Sequence, residues 1–563
     1  MKKYYQILFL AICLLKFTNI HAQQWGDYTL YSLMNSTSTT LLDTNGNTFK
    51  TWTHPTSAKS SYSCYLMPGG YLWRSVSKSG NSFQGGPIAG EIQKLDWNGT
   101  VLWDYVYSTT EYCTHHDICP LANGNVLVIA YDRKSATDVA NAGCTFNGEV
   151  WCDKVVEIQP TGATTGNVVW EWKLWDHIVQ NVNSAKANYQ SSLIDHPELL
   201  NVNYKIQKDW IHMNGVDYNP ILDQITVSSH NLNEIYVIDH STTTAEAASH
   251  SGGNSGKGGD IIYRWGNPAA YGASGTAIFN VCHDAHWIPE GSPNEGRLVA
   301  FNNKGVSNSQ SSVDQIITPK KGYIYDRTGG AAFGPTIYDS RYACNGYTSN
   351  AGNSEQLPNG NMLVCVALTG AVYEVDANGS TLWTKTIQGA PQQMHRYEKC
   401  YTDNLPPAIP VITENNKVLS ASQATTYQWY KNGLKLSGET NQTYTPTDSG
   451  IYVVRITDVN GCVKQYSKGY KYTIASTNNG INSWIQSNQL SIYPNPSNGN
   501  FQIESNIANQ FNWINIYDTK GVNVYSGRFA QSIDVIGIDA GIYIINIVAN
   551  NGQTISKKIT IIK

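Results

Sequence analysis

The chain is 563 residues long, enough for about three domains, and carries 38 basic against 42 acidic residues. Its formal net charge is -4 and only 14% of its residues are charged, so no basic surface for nucleic acid or an anionic membrane is expected. Eleven cysteines fit an exported, oxidising setting.

Residues 1–22 read as a secretory signal peptide. Lys2 and Lys3 precede the apolar run ILFLAICLL, and a small-residue ending at Ala22 precedes Gln23. The run is too short to span a bilayer comfortably, and no later segment approaches the roughly 20 apolar residues of a membrane helix. Beyond it the chain reads as all-β, with short alternating strands separated by Asn-Gly turns. One unit recurs: an apolar strand with an acidic end, a turn, and a strand ending near Trp or Tyr. It appears as LLDTNGNTFKTW, IQKLDWNGTVLWDY, VVEIQPTGATTGNVVWEW, IYVIDH continuing to DIIYRWGNP, a weaker VDQIITPKKGYIYD, and VYEVDANGSTLWTK. Six units between Thr29 and Lys385, at spacings above about 40 residues, predict a six-bladed β-propeller over 23–400.

Two stretches interrupt the pattern. The segment from Lys173 to Asp209 predicts a helical or irregular excursion, and EAASHSGGNSGKGGD predicts a glycine-rich loop. The loop is not a phosphate cradle, because Gly258 follows Lys257 where Ser or Thr is needed and Ser251 stands where the first glycine belongs. Cys144 and Cys152, in GCTFNGEVWC, are spaced to close a short loop.

All thirteen histidines precede Arg396, so histidine chemistry belongs to the propeller. HHDICPLANGNVLVIA, IHMNGVDYNPILDQITV and CHDAHWIPEGSPNEGRLVAF each place a histidine a few residues before a turn and a second apolar strand. His116, His212 and His283 should therefore start the innermost strands of three blades and converge at one mouth of the central channel. Strand alternation would put Ala285 and Trp287 on the side of His283, and Cys282, Asp284 and His286 on the other; it would likewise set His115 against His116. A single histidine is more often structural than catalytic, but three in equivalent register argue for a site. Cys113 and Cys119 around THHDI match no familiar zinc spacing, so no residue is assigned to a metal and no cofactor is expected.

After Cys400, NLPPAIP reads as a linker into a strand-rich module over 401–475. Its Trp429 and its turn Asp448-Ser449-Gly450-Ile451-Tyr452 resemble immunoglobulin-like repeats, without the paired cysteines, since Cys462 stands alone. A spacer sandwich is expected. The tail, over 487–563, contains SIYPNPSNGNFQI, INIYDTKGVNVYSG, GIDAGIYIINI and KKITIIK, and resembles the C-terminal sorting domain of the type IX secretion system. That resemblance implies a small β-sandwich, a Bacteroidetes-like source, the secretion machinery as partner, and export through the periplasm and across the outer membrane to the surface or medium.

The segments HHDICPLANGNVL, DWIHMNGVDYNPILDQITVSSHNLNEIYVIDHSTT, GGDIIYRWGNP, CHDAHW and RLVAFNN resemble the arylsulfotransferase family, from about Thr29 to Cys400. The resemblance implies a six-bladed propeller that moves a sulfuryl group from an aryl sulfate to a phenolic acceptor without a nucleotide donor. Position by position, it implies a nucleophilic His283 and sulfate-binding His116 and His212. Where the family usually has arginine after the SS of one strand, this chain has His230 in TVSSHNLNE. Histidine titrates near ~6.5 and presents fewer donors than arginine, so charge stabilisation should be weaker here. His230 and Arg264, the latter a candidate to compensate, complete the expected substrate-binding set. A second copy of the chain is a further candidate partner. Two rival readings are a non-catalytic surface propeller that binds glycans or proteins and a metal-dependent propeller hydrolase.

Overall fold

The computed structural model describes residues 24–474, 490–505, 508, 511–550 and 554–563; the expected leader and the expected boundary between spacer and tail lie outside them. The chain divides into two compact units between Tyr472 and Thr473. Among the described residues no helix is long and apolar enough to cross a membrane.

Six antiparallel sheets of four strands lie between Tyr28 and Tyr397. The first combines Tyr28–Leu33, Ser38–Leu42 and Thr48–Thr53 with the last strand of the segment, Pro391–Tyr397. Hydrogen-bonded pairing of Tyr28 with Tyr397 and Leu30 with His395 thus joins the two ends of the ring. The second to sixth sheets begin with Lys59–Met67, Tyr112–Pro120, Met213–Asn219, Cys282–Trp287 and Asn353–Gln356. These five strands and Pro391–Tyr397 contact one another in a closed cycle, the innermost layer of a β-propeller.

The apolar pattern explains the stacking. In the third sheet Val126, Val128 and Ala130 face the second sheet's Trp73, Ile92 and Trp103, while Leu127 and Ile129 face the fourth sheet's Ile225 and Val227. Successive side chains point to opposite faces, so a strand buried on both sides reads as a continuous apolar run. Equivalent cores join the fourth sheet to the fifth, the fifth to the sixth, the sixth to the first and the first to the second. Each fully buried Val, Leu or Ile in them contributes about 1.5–3 kcal/mol.

Carboxylates on the inner strands, Asp117 and Asp284 buried and Asp217 and Glu355 half-buried, add a second set of links. Asp117 accepts the backbone N–H of Val216 at 3.2 Å, Asp217 that of Trp287 at 2.9 Å, Asp284 that of Ser354 at 3.2 Å, and Glu355 that of Arg396 at 2.7 Å. Each carboxylate lies on one inner strand and each amide on the next. The His-Asp dipeptides at 116–117 and 283–284 recur because the aspartate latches neighbouring sheets while the histidine is left for the mouth.

The repeated sequence units fall on the two outer strands of the sheets, with one correction. In VDQIITPKKGYIYD only the first half joins the fifth sheet. Lys320–Lys321 and Ile324–Tyr325 form a separate ribbon, and the outer strand is Ser340–Ala343, which Arg341 fastens by two bonds to Asp314. The excursion after Lys173 is irregular, with a single 3-10 turn, Leu174–His177, and a two-stranded ribbon. Cys144 and Cys152, whose spacing would allow a short loop without fixing the connectivity, are both free thiols, and Cys152 is paired within the third sheet. Cys462 does not stand alone, because it is bonded to Cys400.

That disulfide ties the end of the propeller to the module that follows, where Trp429, Tyr452 and Val454 of one sheet pack against Leu419 and Ala421 of another. The Tyr452 hydroxyl donates to the carbonyl of Asp448 at 2.8 Å, a tyrosine corner. Glu290, just after the fifth sheet's inner strand, receives the Tyr466 hydroxyl at 3.0 Å and pairs with Arg455 at 3.2 Å. In the second unit two sheets enclose Phe501, Ile503, Ile514, Ile516, Ile545 and Ile547, and Tyr543 donates to the Asp539 carbonyl at 2.8 Å.

Candidate active site

The inner strands of the third, fourth and fifth sheets are bulged where the histidines stand. Register shifts occur between Thr114 and Ile118, between Met213 and Gly215, and between His283 and His286. His116, His212 and Asp284 take positive φ values of 52°, 55° and 53°, a backbone that costs energy outside glycine and concentrates at functional sites. A bulge re-aims side chains, so simple alternation fails here. His115 and His116, expected on opposite sides, bring their Nδ1 atoms to 2.7 Å.

Four expected site residues meet. The ring of His116 lies 4.6 Å from that of His212, His212 lies 5.0 Å from His230, and His230 lies 5.5 Å from His283. His116 and His283 are buried, each 2% exposed, whereas His212 and His230 are half-buried. The row therefore runs between two enclosed ends through a more open middle.

Arg264 is not among them. It lies on the fourth sheet's outermost strand, fully buried, with a two-pronged contact to Glu234 at 2.9 and 2.5 Å. Its remaining donors reach the carbonyls of Pro197 and Leu199, and Tyr271 covers its face at 4.5 Å. Four of its five N–H donors are engaged here, two on Glu234 and two on the excursion, so its guanidinium is held at the outer edge of the sheet and away from the histidine row.

Hydrogen bonds set the proton positions. Asn303 donates its two amide hydrogens to the carbonyls of Thr348 and Ala351, at 3.0 and 2.8 Å. Its oxygen must then face His283 Nδ1, 2.7 Å away, so Nδ1 carries the hydrogen and Nε2 keeps the lone pair. The Ala351 N–H points at that Nε2 from 3.1 Å, from a residue held at φ 52°. Burial, with His230 beside it, holds the His283 imidazole well below its ordinary value, and therefore neutral.

At the other end, His115 is buried, stacked on Tyr131 at 3.8 Å, and pushed down to about 3 by burial. Its Nε2 faces Asp153 at 3.0 Å. Burial raises the Asp153 carboxyl well above the usual carboxylate range. One hydrogen joins the facing Nδ1 atoms of His115 and His116. His212 donates from Nδ1 to Asp209 at 2.7 Å. Burial alone would raise Asp209, but this bond holds it below its ordinary value as a carboxylate. His230, lowered by burial and by His212, contacts Asn231 at 2.8 Å through Nδ1.

Tyr62, Asp153, Asp209, Asn303 and Ala351 were not singled out in the sequence. The ring of Tyr62 sits 5.1 Å from His116, and its buried hydroxyl has no hydrogen-bond partner among the described residues. Tyr62, Asp153 and Asn303 come from three sheets and Asp209 and Ala351 from loops, with no motif of their own; only the HHD doublet hinted at a second histidine behind His116. Cys113 and Cys119 belong to neither of the two close His/Cys/Asp/Glu groups found among the described residues.

Among solved structures, the chain is similar to a protein of unknown function from Bacteroides caccae, at 9% identity and a TM-score of 0.39 over 66% of this chain and 98% of that one. It is also similar to a periplasmic gluconolactonase of Pseudomonas aeruginosa, at 12% identity and 0.36 over 65% and 98%. The Swd1 β-propeller domain of Myceliophteria thermophila matches at 9% identity and 0.33 over 76% and 99%. No curated protein matches the chain. The model of the family described as Arylsulfotransferase (ASST) matches residues 22–405, and that of the Secretion system C-terminal sorting domain matches residues 491–563. The chain, matched over two thirds of its length across a propeller with converging histidines and carrying a type IX sorting tail that marks it for export across the outer membrane, belongs to the arylsulfotransferase family.

Proposed function

We propose that the protein is a secreted aryl-sulfate sulfotransferase that works through a sulfohistidine on His283. The supporting observation is the state of that ring: Nδ1–H is committed to Asn303, and a neutral Nε2 ends a row of four imidazoles. Nε2 attacks sulfur, the N–S bond forms as the bond from sulfur to the aryl oxygen breaks, and the aryl oxide leaves. A phenol oxygen then attacks the sulfur, the N–S bond breaks, and the phenolic proton passes to a neighbouring imidazole. Attack requires Nε2 to give up the Ala351 N–H, which becomes a donor for a sulfuryl oxygen.

His116, His212 and His230 hold the nonbridging oxygens. Positioned donors aimed at the moving group supply most of the catalysis in transfers of this kind. His230, neutral where arginine would be charged, makes this a weaker electrostatic cradle than an arginine-bearing one. Covalent transfer predicts ping-pong kinetics.

The test is acceptor-dependent release of nitrophenol from p-nitrophenyl sulfate by the full chain. His283→Asn should fall to the uncatalysed background with its circular dichroism unchanged. An unchanged rate in that variant removes His283 from the reaction, and no acceptor-dependent release by the wild type favours a non-catalytic binding propeller.

A further inference from the structure

We infer that His177, His250 and Asp260 form a zinc site that fastens the glycine-rich loop to the propeller, independently of sulfuryl transfer. His177 ends the 3-10 turn after the third sheet's outer strand, and its ring is fully buried, parallel to that of Trp172 at 5.9 Å. His250 and Asp260 come from the loop, with His250 exposed. One ligand atom from each of the three residues lies within 4.8 Å of the others.

Their hydrogen bonding points to a cation. The Ala247 carbonyl, 2.8 Å from His177 Nε2, can only accept, so Nε2 carries a hydrogen. In the neutral ring Nδ1 is then a lone pair, yet it faces Asp260 Oδ1 at 3.0 Å, acceptor against acceptor. His250 Nδ1 converges on the same oxygen at 2.6 Å. Neutral His250 can donate its own Nδ1–H to that oxygen, so the conflict lies at His177, where either a second proton on the buried ring or a dication held between the three groups removes it. An imidazole that binds metal through one nitrogen while the other donates to a backbone carbonyl is the usual outer support of such ligands.

The surroundings are built around this arrangement. A Cβ on Gly259 would lie 1.9 Å from the Ala247 oxygen and 2.6 Å from His177 Nε2, so only glycine fits, and the Gly259 carbonyl accepts from Trp172 Nε1 at 2.6 Å. Two imidazoles and a carboxylate suit zinc, which takes four ligands. His250 and Asp260 also line a cleft of about 430 Å³ with Asp195, Glu198, Lys257 and Arg327, from which water or a small anion can complete the shell. Asp260 leads into the fourth sheet's outermost strand, at the opposite edge from the strand that follows His212.

The experiment is calorimetric titration of zinc into the chelator-stripped full chain, with hydrogen exchange followed over residues 248–259. Wild type should bind one equivalent and show slowed exchange in that loop. His250→Ala, a change at an exposed side chain that leaves the fold intact, and Asp260→Asn should each weaken binding at least tenfold and lose the protection, while His283→Asn keeps both. Absence of zinc binding by the wild type, or affinity and protection unchanged in His250→Ala, overturns the assignment.

Discussion

The carboxamide of Asn303 decides which nitrogen of His283 is available, because its own hydrogens are held by two backbone carbonyls that cannot turn away. Asn303→Leu keeps the volume but leaves Nδ1–H unpaired and the ring free to take the wrong tautomer. Losing a buried hydrogen bond of this kind costs about 1–3 kcal/mol, so kcat should fall by about ten- to a hundredfold with KM little changed. Steady-state kinetics with p-nitrophenyl sulfate check this; an unaltered kcat would show that the tautomer is set elsewhere. At this scale His116, His212, His230 and His283 were legible because each sits in a stretch of local sequence that resembles its family. Arg264 misled for the same reason: a conspicuous cation in a matching segment says nothing about where its guanidinium points, and Glu234 had already claimed it.

Strands and their junctions show how buried charge holds the ring. His240, at the end of the fourth sheet's Glu234–Asp239 strand, donates to Asp223 at 2.8 Å and to Glu157 of the third sheet at 3.0 Å. Burial opposes its charge, but the two carboxylates prevail and raise it to about 9. A histidine raised on folding stabilises the folded state fully below its unfolded value of ~6.5 and ceases to do so as pH rises through its folded value. Thermal stability should therefore decline between about pH 6.5 and 9 by on the order of 3 kcal/mol from this group. His286, raised to about 9 chiefly by Asp284 against the pull of burial, adds its own slope, so the measure is the difference between wild type and His240→Gln. Parallel pH profiles for the two would exclude the clip. The same elements explain what sequence periodicity missed: the pairing of the inner strands shifts register at His116 and His283, and a two-residue repeat cannot register such a bulge.

For the whole molecule, ring closure depends on the Pro391–Tyr397 strand, whose end is anchored three residues on by the Cys400–Cys462 disulfide. Removing a disulfide that closes a loop of 62 residues costs about 2–4 kcal/mol through freedom gained by the unfolded chain. Cys462→Ser should accordingly lower the melting temperature of the first unit by several degrees in calorimetry; an unchanged transition would mean that the Glu290 contacts alone hold the spacer. The sequence by itself determined the repeated two-strand units, the all-β class, the sorting tail and the four histidines, since each is written in short-range patterns of apolar, turn and motif residues. Only the tertiary structure decided which cysteines pair, which strand completes the fifth sheet, that Asn303 and Asp153 stand behind the two ends of the histidine row, and that His177 meets a loop more than seventy positions away. Those choices depend on groups from separate sheets competing for one buried partner, a competition that exists only once the ring has closed.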